Sequence, residues 1–228
     1  MTIKELLDGF VEIHNREVNN RVDFERFLDG FVEARKSRIR SQRTTADDIN
    51  VFEILDFKYD EVRHSKFLAW LLNPELEHAQ GSLFFKYFLE YAELPVEYAK
   101  KSYKVETEVR HDESQIDIEI KGDKSEFLIH IENKVNAAEG EKQLERETRD
   151  LEKKRVRYRV KPENTHALYL TPSGELPENA RKFKALSWRQ VAQAIKTFED
   201  NAKAERAKWV AEQYLYVVEN YIIRMKEE

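Results

Sequence analysis

The sequence contains no cysteine, which excludes disulfides, thiolate chemistry and cysteine-ligated zinc together. A reducing compartment suits such a chain. Glycine and proline are scarce, at 6 and 5 of 228 residues, and no internal repeat, low-complexity tract or flexible linker appears. No stretch approaches the roughly 18 consecutive apolar residues of a spanning helix. The N-terminal MTIKELLDGFVEIH has neither a basic start nor an uninterrupted apolar core. The expectation is a cytoplasmic protein with no membrane segment. One-sided charge is lacking too, since 39 Lys+Arg stand against 44 Asp+Glu for a net charge of -5. Proteins that neutralise many phosphates are more often basic overall. A pI near 5.8 therefore counts mildly against strong non-specific nucleic-acid binding and leaves that work to local patches.

What is present describes a globular chain. A hydrophobic fraction of 41% and an aromatic fraction of 11% supply enough apolar surface to exclude wholesale disorder. The length suffices for one well-cored domain. From Ile3 to about Arg40, apolar residues such as Leu6, Phe10, Ile13, Phe24 and Phe31 recur at helical spacing. This segment, 1–48, is expected to be an N-terminal helical extension ending in the basic tract Arg35, Lys36, Arg38, Arg40 and Arg43. The remainder, 49–228, is expected to form a single compact domain with C-terminal helices.

Within that domain a helical block over Ile49–Leu72 stops at Asn73-Pro74, because the residue before proline is pushed out of helical backbone. A further helix follows Gly81. The texture then changes: YKVETEVR (103–110) and QIDIEIK (115–121) alternate apolar with polar residues, the period of half-buried strands. FLIHIENKV (127–135) reads as a third, more buried strand. A charged helix anchored by Leu144 and Leu151, the strands HALYLTP and FKALSW, and amphipathic helices from Trp188 onward complete the order.

Asp117 on the second strand and Glu132 and Lys134 on the third are about fifteen residues apart with one turn between them. Adjacent antiparallel strands bring such positions side by side. Side chains alternate along a strand, so Glu132 and Lys134 share a face and Asn133 takes the other. Two carboxylates and an amine suit phosphodiester hydrolysis. Hard oxygen ligands hold Mg²⁺ or Mn²⁺, the metal acidifies a water, and a lysine orients that water or stabilises developing charge.

This arrangement resembles the PD-(D/E)XK nuclease superfamily, and within it a bacterial branch whose members carry an upstream histidine-serine motif. The resemblance runs over roughly residues 50 to 200 and rests on EVRHSKFLAWLLNP (61–74), QIDIEI (115–120), IENKVNAAEGEKQL (131–144) and FKALSWRQV (183–191). It implies an α/β restriction-endonuclease-like fold, a mixed central sheet of about four to five strands flanked by helices. It makes Asp117 and Glu132 the metal-binding acids and Lys134 the catalytic lysine. Gln143 matches a glutamine of the superfamily's recombination exonucleases, which usually place a tyrosine four residues later; here Glu147 stands there. Ile116 replaces the proline of the family name. A further metal-binding acid is expected from the first core helix, with Glu61 preferred over Glu53 and His64 one turn beyond facing the same cleft. The implied activity is metal-dependent cleavage of nucleic acid, DNA being favoured, in defence or repair.

Two other readings stay open. A non-catalytic nucleic-acid-binding or regulatory module keeps the fold without turnover, and a subunit active only in a larger complex uses its terminal helices for a homodimer or a protein partner. The tract KKRVRYRVK (153–161) offers Lys153, Lys154, Arg155, Arg157 and Arg159 as phosphate contacts with Tyr158 for stacking. A solvated helix end explains it equally well. Glu106 and Glu108 share a strand face that is more simply a solvated one. Ser65 has no partner for nucleophilic catalysis and no GxSxG elbow exists.

Overall fold

The computed structural model describes residues 32, 33, 36, 49–135, 143–178, 180 and 182–224. The chain divides into two units, Met1–Ile49 and Asn50–Glu228. The expected helical extension, with Arg35, Arg38, Arg40 and Arg43, lies outside the described residues apart from a few positions; Lys36, which is described, pairs with Glu33 at 2.8 Å.

The second unit is built on a five-stranded mixed sheet. Its strands are β1 (Tyr103–Arg110), β2 (Gln115–Gly122), β3 (Leu128–Asn133), β4 (Thr165–Thr171) and β5 (Lys184–Ser187), adjacent in that order. The first three run antiparallel, and β3, β4 and β5 are parallel. The period-two pattern decides which face each side chain takes. Ile118, Ile120, Ile129, Ile131, Leu168 and Leu170 lie on one face, in the larger core. Leu128, Ala167 and Tyr169 lie on the other, in a smaller one.

The helices sort onto these faces. α1 (Val51–Ile54), α2 (Glu61–Leu72), α3 (Leu83–Tyr91), α5 (Trp188–Asn201) and α6 (Glu205–Val217) build the larger core, around Phe84, Phe85, Phe88, Trp188, Phe198 and Tyr214. α4 (Gln143–Tyr158) covers the second face through Leu144 and Leu151, the two leucines expected to anchor it. The fold is therefore the expected restriction-endonuclease-like one, with helices on both sides of a mixed sheet.

One expectation changes. The block 49–72 is two helices, because Asp56 adopts left-handed backbone (φ 51) and Asp60 starts α2 anew by accepting the Arg63 N–H. The connection between β2 and β3 is also unusually close. A Cβ at Gly122 would lie 2.7 Å from the Phe127 ring, so glycine is required where the chain turns back. That tight return sets the register that matters most, with Ile118 opposite Ile131.

Candidate active site

One residue beyond the Ile118–Ile131 pair on each strand stand Asp117 and Glu132, on the α4 side of the sheet. The Asn133 N–H donates to Asp117 Oδ2 at 2.8 Å, fastening the acid of β2 to the end of β3. Lys134 follows the strand, and its N–H still bonds the Leu170 carbonyl of β4 at 2.8 Å. Its side chain therefore keeps the alternation and donates from Nζ to Glu132 Oε1 at 2.6 Å. Gln143, the first residue of α4, donates to the same Oε1 at 2.6 Å. Glu61, in the first turn of α2, accepts the Val135 N–H at 3.0 Å. Asp117, Glu132, Lys134, Gln143 and Glu61 are thus brought to one place by β2, β3, α4 and α2.

The electrostatics are those of buried acids gathered around one ammonium. Glu132 is 2% exposed. Burial first, then the charges of Asp117 and Glu147, push its pKa up to about 9, against the pull of Lys134. Burial likewise raises Asp117, with Glu61 and Glu108 adding to it and the Asn133 N–H and Lys134 opposing. Burial works against the Lys134 ammonium, but Glu132, Glu61 and Asp117 outweigh it and raise its pKa. Glu132 Oε2 is buried with no hydrogen-bond partner. An all-oxygen set of carboxylates, one with an unsatisfied buried oxygen, fits a hard divalent ion such as Mg²⁺ or Mn²⁺.

These raised values make a pH prediction. Folding makes Glu132 easier to protonate than it is in the unfolded chain, whose ordinary pKa is 4.5, so the stability this group contributes falls as pH rises toward about 9. Between pH 6 and 9, the Tm of the metal-free protein should fall relative to that of Glu132→Gln by at least about 2–4 °C, the shift expected for about 1 kcal/mol. Saturating Mg²⁺ should remove the difference. Parallel pH profiles of the two proteins in chelator would refute the assignment.

Several expected residues sit elsewhere. His64 belongs to the helical core rather than to the cleft. It is fully buried, its Nδ1 lies 3.0 Å from Tyr214 Oη and its Nε2 3.0 Å from the Lys58 carbonyl, and its ring packs against Phe57 and Trp188. Glu53 accepts a hydrogen bond from Tyr221 instead of joining the acids. The basic tract forms the last turns of α4, where its charge complements the helix dipole. Lys153 donates to Glu113 at 2.8 Å, Lys154 pairs with Glu119, Arg155 with Glu152, and Arg159 follows the helix in left-handed backbone (φ 57). Glu106 stands opposite Glu119 in register, while Glu108, at φ 51, pairs with Lys66 at 3.9 Å.

Sequence reasoning missed what holds the site together. Asn133, on the opposite face from Glu132, donates to Ser65 Oγ at 3.1 Å and accepts from Trp188 Nε1 at 3.2 Å, tying β3 to α2 and α5. The serine of the histidine-serine pair thus helps fasten α2 to β3. Glu147, a departure from the family pattern, is 1% exposed and acts on Glu132. Its place four residues after Gln143, on the same helix face, was the available signal.

No helix among the described residues is long and apolar enough to cross a membrane. No curated protein and no solved structure matches the chain. A family model of the PD-(D/E)XK nuclease superfamily matches residues 49–218, a span that takes in all five strands of the sheet and every acid gathered at Lys134. On the strength of that match and this geometry, the chain belongs to the PD-(D/E)XK nuclease superfamily.

Proposed function

We propose that the protein is a divalent-metal-dependent nuclease that hydrolyses phosphodiester bonds, with DNA as the substrate favoured by its family. The observation that carries this reading is the convergence of Lys134 and Gln143 on one oxygen of Glu132, beside Asp117 and Glu61. Asp117 and Glu132 would hold the ion, with Glu61 at its edge. A bound Mg²⁺ or Mn²⁺ supplies Lewis acidity, acidifying water and neutralising phosphoryl oxygens.

The chain's own groups do the rest. Lys134 is fixed by Glu132 at the edge of the acids, where its ammonium orients the attacking water and offsets charge developing on the phosphoryl group. Gln143 restrains the Glu132 carboxylate so that Oε2 stays directed into the site. The Asn133 N–H does the same for Asp117. Phosphate contact by the basic end of α4 is part of the proposal, although Lys153, Lys154 and Arg155 already serve acids of this chain.

The test is incubation of the purified chain with linear duplex, circular duplex and single-stranded DNA, and with RNA, in Mg²⁺, in Mn²⁺ and in chelator. Metal-dependent cleavage of at least one DNA form is expected, abolished by chelator. Cleavage of RNA alone would replace the substrate while keeping the chemistry. If nothing is cut and calorimetry detects no metal binding, the non-catalytic binding module is the better account.

A further inference from the structure

Two residues along each strand from the acid pair, the same sheet face carries a second polar cluster that hydrolysis does not use. Glu119 of β2 and His130 of β3 are register partners, about 7 Å from Asp117 and Glu132 along the strands. His111 enters from the turn after β1. His130 Nε2 lies 2.9 Å and His111 Nε2 3.7 Å from Glu119 Oε2. The three ligand atoms all fall within 4.8 Å of one another. Four ligands on a tetrahedral zinc ion are about 3.3 Å apart, so only small side-chain adjustments separate this cluster from a coordinating one.

Two further observations point to a ligand. Glu119 is 1% exposed, yet its Oε1 has no hydrogen-bond partner, and neither has His111 Nε2, the imidazole nitrogen nearest its carboxylate. Also, the Lys154 ammonium of α4 reaches in to Glu119 Oε2, so the chain places a cation of its own where the carboxylate and imidazoles converge. A structural ion pair alone would account for Lys154 and Glu119. It does not account for a second imidazole directed at the same oxygen and left without a partner. Of the three, His111 lines a neighbouring cavity of about 390 Å³, together with Arg110, Asp112, Asp150, Lys153, Lys154 and Arg157. That cavity offers room for the displaced lysine.

We propose that His111, Glu119 and His130 form a second metal site, separate from the acid pair, that takes a transition-metal ion of the zinc class and displaces Lys154 on binding. Ligand chemistry divides the two sites. Two imidazoles and a carboxylate suit Zn²⁺ and its neighbours, whereas the all-oxygen set at Asp117 and Glu132 suits Mg²⁺ or Mn²⁺. Three protein ligands leave a fourth position toward the cavity.

The experiment is titration of the metal-free full chain with Co²⁺ in excess Mg²⁺, followed by visible absorption and then by Zn²⁺ displacement. One equivalent with the intense bands of a four-coordinate ion is expected, retained in Glu132→Gln. This makes the result independent of the nuclease reading. His111→Ala, whose residue lies at a strand end, and His130→Gln should weaken binding at least about 100-fold. Circular dichroism checks that both variants fold. Lys154→Met should bind at least about tenfold tighter, because its competing ammonium is gone. Absence of the bands in the wild-type chain, or bands undiminished in a folded His111→Ala, would overturn the site. Loss of stability in Lys154→Met with no gain in Co²⁺ affinity would assign the cluster to a structural ion pair.

Discussion

Lys134→Met is expected to lower metal-dependent cleavage at saturating Mg²⁺ by about 10³-fold while leaving Mg²⁺ affinity unchanged or higher. Nζ lies 2.6 Å from Glu132 Oε1, the side chain is 13% exposed, and three carboxylates sustain its charge. Methionine keeps most of the stem and removes the charge, so packing is nearly conserved. Loss of a positioned donor or proton-transfer group is worth about 10²–10⁴ in rate. The same change removes a cation that competes with the metal for Glu132, so binding and turnover should move apart. Single-turnover cleavage paired with Mg²⁺ calorimetry reads both. A variant within tenfold of wild type in rate would deny Lys134 a catalytic role, and a parallel loss of metal binding would make it a structural partner of Glu132.

Asn133→Ala should destabilise the protein by about 3 kcal/mol, more than most single substitutions. Asn133 is fully buried and bonds Ser65 Oγ, Trp188 Nε1 and, at 3.4 Å, the Glu61 carbonyl. Alanine leaves the Trp188 N–H and the serine hydroxyl unpaired in the core, at about 1–3 kcal/mol for each unsatisfied group, and opens a small cavity. For a domain of this size the Tm should drop by about 6–12 °C. Ser65→Ala, which breaks one of these bonds, should cost only about 1 kcal/mol. Urea unfolding of the three proteins gives the comparison. Equal midpoints for Asn133→Ala and wild type would mean that the triangle of β3, α2 and α5 does not hold the fold. Well below the transition, cleavage by Asn133→Ala should survive, because the backbone N–H that fastens Asp117 is retained.

The two substitutions concern adjacent residues on opposite faces of one strand, and they differ in how far the sequence exposed them. Lys134 was legible because it stands two positions from Glu132 on a strand, where the alternation of side chains puts both on one face. Strand alternation marks Asn133 only as the residue facing away, since nothing local says which helices meet it there. His64 shows the same limit. Helical spacing put it one turn from Glu61, but the rotation of α2 on the sheet sends one residue toward the acids and the other into the Tyr214 side of the core.

By itself the sequence determined the elements that depend on nearest-neighbour geometry. These are the two alternating strands with the buried one after them, the leucine-anchored charged helix, and the short return that brings β2 beside β3. Side-chain alternation and a tight turn are properties of a few consecutive residues. The tertiary structure alone decided which residues far apart in the chain share a hydrogen bond, such as Trp188 with Asn133, 55 positions away. It alone decided how α4 lies on the sheet, and therefore that Glu147 reaches Glu132 and Lys154 reaches Glu119. It also brought His111, Glu119 and His130 to a single point. Those meetings depend on sheet register and helix rotation, which the packing of both cores sets collectively and no local spacing encodes.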